Sequence, residues 1–94
     1  MILTIEIAQK IIAKQEKEFD SHSFIQTYQT DFEFDYLQDL FACIKSKNVI
    51  QDCHSKIGRF LRQHEQELNI KGDVKEPSSN IHGNKTNCEK WIKI

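Results

Sequence analysis

Apolar side chains recur every three or four residues along most of the chain, which is the spacing of one face of an α-helix. Three stretches show this pattern, and their apolar positions are Ile5, Ala8, Ile12 and Phe19, then Phe34, Leu37, Phe41 and Ile44, then Ile50, Cys53, Ile57, Phe60, Leu61 and Leu68. We predict helices from residue 4, over about 31–46, and over about 49–68. A short turn or helix is expected between the first two, following a break at 20–23.

Polar residues that can cap a helix N-terminus precede these stretches. A side-chain oxygen at this position accepts a hydrogen bond from a backbone N–H of the first turn. The candidate caps are Thr4, Ser23, Thr30 and Asn48. The pattern leaves open whether 49–68 is one helix or two, since Ser55 offers a cap for a second piece.

The region after Leu68 is rich in turn-forming residues. Gly83-Asn84 can close a short hairpin between Ile81 and the final residues 91–94. The alternative is a loop followed by a turn that pins Trp91 onto the core. The expected fold is therefore mainly α: three to four helices over 4–68, with an irregular or β-hairpin tail over 69–94.

Size and composition indicate a single globular domain over 1–94. The chain has 38% hydrophobic and 29% charged residues, which is ordinary for a folded domain. It has neither an apolar run long enough for a transmembrane helix nor a signal-peptide pattern. The three cysteines form an odd set without close pairing, which favours reduced thiols. We expect a cytoplasmic protein with no membrane association.

Motifs for catalysis are missing from the sequence. It contains no nucleophile motif, no glycine-rich phosphate loop and no dinucleotide fingerprint. The histidines and cysteines lack the paired spacing of a zinc site. A chain this short also has little room for a deep pocket. We therefore expect no catalytic residues, metal, cofactor or small-molecule substrate.

Charge divides the chain into an acidic and a basic half. Residues 1–43 carry a balance of −5 and residues 44–94 a balance of +4. Such asymmetry is compatible with a polyanion bound by the basic half, with attraction between the halves within or between chains, or with solvated charge alone.

An acidic aromatic segment, 32–36, suggests a surface for a protein partner. Its alternate residues diverge on a helix, so its rings cannot all face one core. We assign Phe34, Leu37 and Phe41 to the core. The partner-binding residues are then expected to be Phe32, Tyr36, Asp35 and Asp39. This interpretation predicts a small adaptor, inhibitor or dimerising domain, with self-association as its simplest form.

A DNA-binding module is the alternative. Lys56, Arg59 and Arg62 lie opposite the apolar face of the third stretch. Gly58 lies among them and suggests close packing or close approach of a partner. A helix, a tight connection, a basic helix and a hairpin resemble a winged helix-turn-helix over residues 31–94. The resemblance implies that the second helix enters the major groove.

The same resemblance implies that a hairpin wing contacts the DNA backbone. The basic residues of that wing are Lys85, Lys90 and Lys93. Two features depart from the pattern. The linker over 69–80 is long, and four nearby acids dilute the basic surface: Glu65, Glu67, Asp73 and Glu76. DNA-binding domains usually show a stronger basic balance.

Overall fold

The computed structural model describes residues 1–72 and 90–94, and in that part it is mainly helical with one small sheet. The helices are α1 (Ile5–Ala13), α2 (Ser21–Asp31), α3 (Glu33–Phe41), α4 (Val49–Gln63) and α5 (Glu65–Leu68). The strands are β1 (Glu18–Asp20), β2 (Ile70–Gly72) and β3 (Lys90–Lys93). The predicted fold class, a mainly helical domain with an irregular or β-hairpin C-terminal tail, is confirmed. The described residues form five helices where three to four were expected, and one strand of the sheet, β1, lies outside the tail.

The sheet is antiparallel and places β3 between β1 and β2. Trp91 is opposite Phe19 on one side and Gly72 on the other, and its ring is fully buried. Trp91 packs on the core, as one of the two alternatives for the tail predicted, but it does so from a strand and not from a turn. The turn proposed at Gly83-Asn84 lies outside the described residues, as does Ile81.

The first helix is shorter than its helix-forming residues suggest. It ends at Ala13, and the chain then extends into β1, where Phe19 is buried. The backbone N–H of Lys93 donates to the carbonyl of Lys17 at 2.9 Å. Pairing with a strand more than seventy residues away satisfies this backbone, and such a non-local contact outweighs local helix propensity.

Two of the predicted helix boundaries are confirmed in position. The Thr4 side chain accepts from the backbone N–H of Ile7 at 3.2 Å and caps α1. Asn48 is the residue before α4, although its side chain makes no capping hydrogen bond to the described first turn. The third stretch does divide into two helices, but at His64 and not at Ser55.

The caps predicted at Ser23 and Thr30 are wrong. Asp20 caps α2, and its carboxylate accepts from the backbone N–H of Ser23 at 2.8 Å. Thr30 lies inside the last turn of α2, where its hydroxyl donates to the carbonyl of Gln26 at 2.9 Å. Hydroxyls that bond back to the preceding turn are compatible with a continuing helix, so α2 runs on to Asp31.

The core lies where α1, α2 and α4 meet the sheet. Its largest fully buried side chains include Ile11, Phe24, Tyr28, Ile57, Leu61 and Trp91. The apolar face predicted for α4 is confirmed at Cys53, Ile57 and Leu61, whereas Ile50 is exposed. The first residues of the chain also reach this core through Leu3.

Candidate interaction surface

Helix α3 carries apolar residues on two opposite faces, and the structure buries the one that was expected to be exposed. Tyr36 and Asp39 are each only 4% exposed, and Cys43 just beyond the helix is buried with them. The opposite face is open to solvent: its exposed fractions are 77% for Phe34, 47% for Leu37, 70% for Phe41 and 55% for Ile44. We call these four residues the α3 stripe. The assignment of Phe34, Leu37 and Phe41 to the core is therefore wrong.

Asp39 explains why α3 turns this way. Its buried carboxylate accepts from the backbone N–H groups of Ile2 at 2.6 Å and Leu3 at 3.2 Å, and from the hydroxyl of Tyr28 at 2.8 Å. A buried carboxylate is costly unless several donors surround it. The N-terminal segment and α2 supply those donors, so α3 must point Asp39 inward. That orientation leaves the α3 stripe outside.

Tyr36 lies on the same inward face and completes a polar aromatic contact. Its hydroxyl is 2.9 Å from Nε2 of His54 on α4, and its ring meets the ring of Tyr28 edge-on at 5.8 Å. Burial, followed by the nearby Cys53, raises the pKa of Tyr36. Burial, followed by the charge of His22, lowers the pKa of His54. Both groups therefore favour their neutral forms at this contact.

The structure does not bring the predicted partner-binding residues together on a surface. Tyr36 and Asp39 are buried, which corrects the expectation that they are exposed. Phe32 is half-buried against the core, with its ring 6.4 Å from that of Tyr28, and Asp35 is also half-buried. In and just after α3, the exposed large apolar side chains are those of the α3 stripe, which alternate along the sequence with the buried ones. The sequence does contain a sign that the other face of α3 could be buried. It is a second set of apolar residues at helical spacing: Tyr36, Leu40 and Cys43.

Charges of opposite sign flank the two ends of the α3 stripe. Glu33 and Asp35 lie in the first turn of α3, where acidic side chains complement the helix dipole. Lys45 and Lys47 follow the helix, and both are exposed. The surface around the stripe is thus acidic at the N-terminal end and basic at the C-terminal end.

Only some of the basic residues predicted to bind DNA are described as exposed to solvent. Lys56, Arg59 and Arg62 are exposed on α4, and Lys90 is exposed in β3. Lys93 is half-buried, and its Nζ donates to the carbonyl of Gln15 at 2.6 Å. Its role in a DNA-contacting wing stays a prediction. The sixth residue of this set, Lys85, lies outside the described residues.

Gly58 lies on α4 without close neighbours. Apart from its chain neighbours and the nearby backbone of α4, a Cβ added there would have no described atom within 4 Å. Of the two reasons that the sequence offered for this glycine, close packing is therefore not seen among residues 1–72 and 90–94. Approach of a partner stays a prediction.

The buried cysteines are poorly suited to chemistry. Cys43 and Cys53 are free thiols, and burial, followed by the neighbouring Cys43, raises the pKa of Cys53 to about 11. A thiol with such a pKa holds its proton and is a weak nucleophile and metal ligand. Within residues 1–72 and 90–94, no group of three or more histidine, cysteine or acidic side chains is placed to hold a metal ion.

Comparison with known proteins gives no family, because no family model, curated protein or solved structure matches the chain. Across the described part, none of the helices combines the length and apolar character needed to cross a membrane. The α3 stripe is therefore the feature of this molecule from which a function is best inferred.

Proposed function

We propose that this chain is a non-enzymatic protein-interaction module and that the α3 stripe is its docking surface. The observation that carries the proposal is the exposure of two phenylalanines, Phe34 and Phe41, on one face of one helix. Residues three or four apart on a helix are surface neighbours, so Leu37 joins Phe34 and Phe41, and Ile44, exposed in the turn after α3, extends this apolar strip. Exposed apolar surface that is contiguous commonly marks an interface.

The size of the α3 stripe fits this role. A phenylalanine side chain buries about 150–250 Å² when covered, and the two here are mostly uncovered. With Leu37 and Ile44, the stripe offers roughly 400–500 Å² of apolar surface, which is comparable with the largest patch on a typical monomer. Such patches are often functional, whereas isolated exposed apolar residues are ordinary.

The core does not need the α3 stripe. Tyr36 and Asp39 fix α3 from the opposite side, through hydrogen bonds to His54, to Tyr28 and to the N-terminal backbone. The apolar surface of the stripe would therefore yield burial free energy only when a partner covers it. Anchors at positions i, i+3 and i+7 of a helix are the pattern by which amphipathic helices dock into apolar grooves.

Site-specific photocrosslinking tests the proposal. We would place a benzophenone amino acid at Phe41 of the full chain expressed in its host cell, and at Gln51 as an exposed polar control on α4. We expect the Phe41 probe to form an adduct with one protein, identified by mass, and the Gln51 probe to form none. The purified pair should then lose at least about tenfold in affinity when Phe34→Ser is introduced.

Three results would contradict the proposal. One is the lack of any adduct at Phe41 under conditions in which the probe is activated. The second is an equal adduct yield at Gln51. The third is an affinity of the purified pair that Phe34→Ser leaves unchanged.

A DNA-binding role is the second candidate, and the exposed basic side of α4 supports it. Lys56, Arg59 and Arg62 are spaced by three residues and lie on one side of the helix, and Lys90 is exposed in β3. Contacts to phosphate would make binding weaken steeply with salt. A mobility-shift assay at low salt, with Arg59→Glu plus Arg62→Glu as the control variant, tests this role. Failure to shift any duplex would remove it.

A further inference from the structure

We infer that the α3 stripe docks onto the α3 stripe of a second copy of this chain, with the two helices antiparallel. This inference rests on the proposed function, because it names the occupant of the same surface. Three features of the described residues support it: the order of side chains along the stripe, the charges at its ends and its area.

The α3 stripe is nearly symmetric about the level of residue 39. Counted along the sequence, Phe34 and Ile44 lie five residues before and after that level, and Leu37 and Phe41 lie two before and two after; Ile44 is in the turn that follows α3. In an antiparallel pair about a twofold axis at this level, Phe34 meets Ile44 of the second copy and Leu37 meets Phe41. A twofold interface uses the same patch on both chains, so it requires a patch that is complementary to itself. The stripe meets that requirement.

Charge selects the antiparallel arrangement over the parallel one. Antiparallel packing brings the acidic end, with Glu33 and Asp35, beside the basic end of the second copy, with Lys45 and Lys47. Parallel packing would bring like charges together at both ends, which is unfavourable. The formal net charge of the chain is −1, so repulsion between whole molecules is small.

The area of the α3 stripe sets the expected strength. Two stripes together offer roughly 800–1,000 Å² of apolar surface, and the flanking polar residues add to it. This total is near the lower limit of about 1,000–1,200 Å² for specific interfaces. We therefore expect a reversible dimer with a dissociation constant in the micromolar range, not a permanent one.

Sedimentation equilibrium of the purified full chain tests the dimer. We expect the wild type to self-associate from micromolar to submillimolar concentration. Because the twofold axis introduces each substitution twice, Phe41→Ser should raise the dissociation constant at least about 100-fold. Ile94→Ser is the matched control, since Ile94 is an exposed apolar residue outside α3, and it should leave association unchanged. Circular dichroism checks that each variant folds.

Disulfide crosslinking tests the antiparallel orientation. In a Cys88→Ser background, we would introduce Phe34→Cys into one sample and Ile44→Cys into another. The native Cys43 and Cys53 are buried and so protected from oxidation. We expect a covalent dimer when the two samples are mixed and little from either alone. Covalent dimers from each sample alone, with no preference for the mixture, would overturn the antiparallel arrangement.

The outcomes separate this inference from the proposed function. A strict monomer at submillimolar concentration, together with a Phe41 adduct to a different protein, would overturn the second-copy inference and leave the interaction module standing. A strict monomer with no Phe41 adduct would overturn both. A dimer whose dissociation constant is unchanged by Phe41→Ser would also overturn the inference, because the contact would then lie elsewhere.

Discussion

Replacing Asp39 by alanine should remove a large part of the free energy of unfolding of this domain. The substitution leaves three donors without their acceptor: the backbone N–H groups of Ile2 and Leu3 and the hydroxyl of Tyr28. Each buried donor left unsatisfied costs about 1–3 kcal/mol. Ile2 is exposed enough for water to replace its partner, so most of the cost comes from the other two. We expect a loss of about 3 kcal/mol in the free energy of unfolding.

Urea unfolding followed by tryptophan fluorescence measures this loss. Trp91 is the chain's single tryptophan and is fully buried, so its emission reports the global transition. Unfolding of a small domain has a slope of about 1–3 kcal/mol per molar urea. The Asp39→Ala midpoint should therefore fall by about 1–3 M. Since small domains have a total stability of about 5–15 kcal/mol, the variant should fold but be marginal.

Two further variants locate the cause of this loss. Tyr28→Phe removes a single donor and leaves Asp39 bonded to the backbone, so it should cost only about 1 kcal/mol. Gln38→Ala changes an exposed neighbour on the same helix and should shift stability by less than about 0.5 kcal/mol. If Asp39→Ala costs no more than Gln38→Ala, the carboxylate does not orient α3. Our explanation for the exposure of the α3 stripe would then be wrong.

Three other predictions concern residues away from this network. Gly58→Ala should raise the free energy of unfolding by about 0.5–1 kcal/mol through helix propensity, which urea unfolding can measure. Burial, then His22, lowers the pKa of His54 below its ordinary 6.5. The unfolded state thus binds the proton more tightly than the folded state does. The stability that this group contributes above pH 6.5 is therefore lost as the pH falls through the folded pKa. His54→Gln should flatten this part of the plot of the free energy of unfolding against pH. Cys53, with its pKa raised to about 11, should resist thiol reagents at pH 8 until urea unfolds the chain, as peptide mass mapping can show.

Local patterns in the sequence predict most of the helical part of the fold. The Thr4 cap, the position of Asn48 and the apolar face of α4 depend on contacts within a few residues, and periodicity reports such contacts directly. The strand β1 depends instead on pairing with β3, which is about seventy residues away. Spacing of nearby side chains contains no information on that partner. The sheet could therefore be anticipated only in part, through the hairpin-forming tail.

The orientation of α3 could not be predicted from periodicity because two different sets of apolar residues in this segment both have helical spacing. One apolar set contains Phe34 and Phe41, and the other contains Tyr36 and Cys43. Hydrophobicity favours burial of the phenylalanines. The structure buries the other set because Asp39 lies on that side and finds its donors there. A polar residue with three distant partners thus decides which apolar face remains for a partner.

This arrangement makes folding and docking separable in the chain. Full burial of a phenylalanine side chain is worth about 1.5–3 kcal/mol. Phe34 and Phe41 stay largely exposed in the folded chain, so folding alone does not gain most of this free energy. Replacing Phe34 or Phe41 by a polar residue should therefore leave the urea midpoint almost unchanged, whereas replacing Asp39 should lower it. If the α3 stripe is a docking surface, its variants must lose association while keeping stability, and Asp39 variants must lose stability first. A stripe variant that unfolds the domain would instead place those phenylalanines in the core.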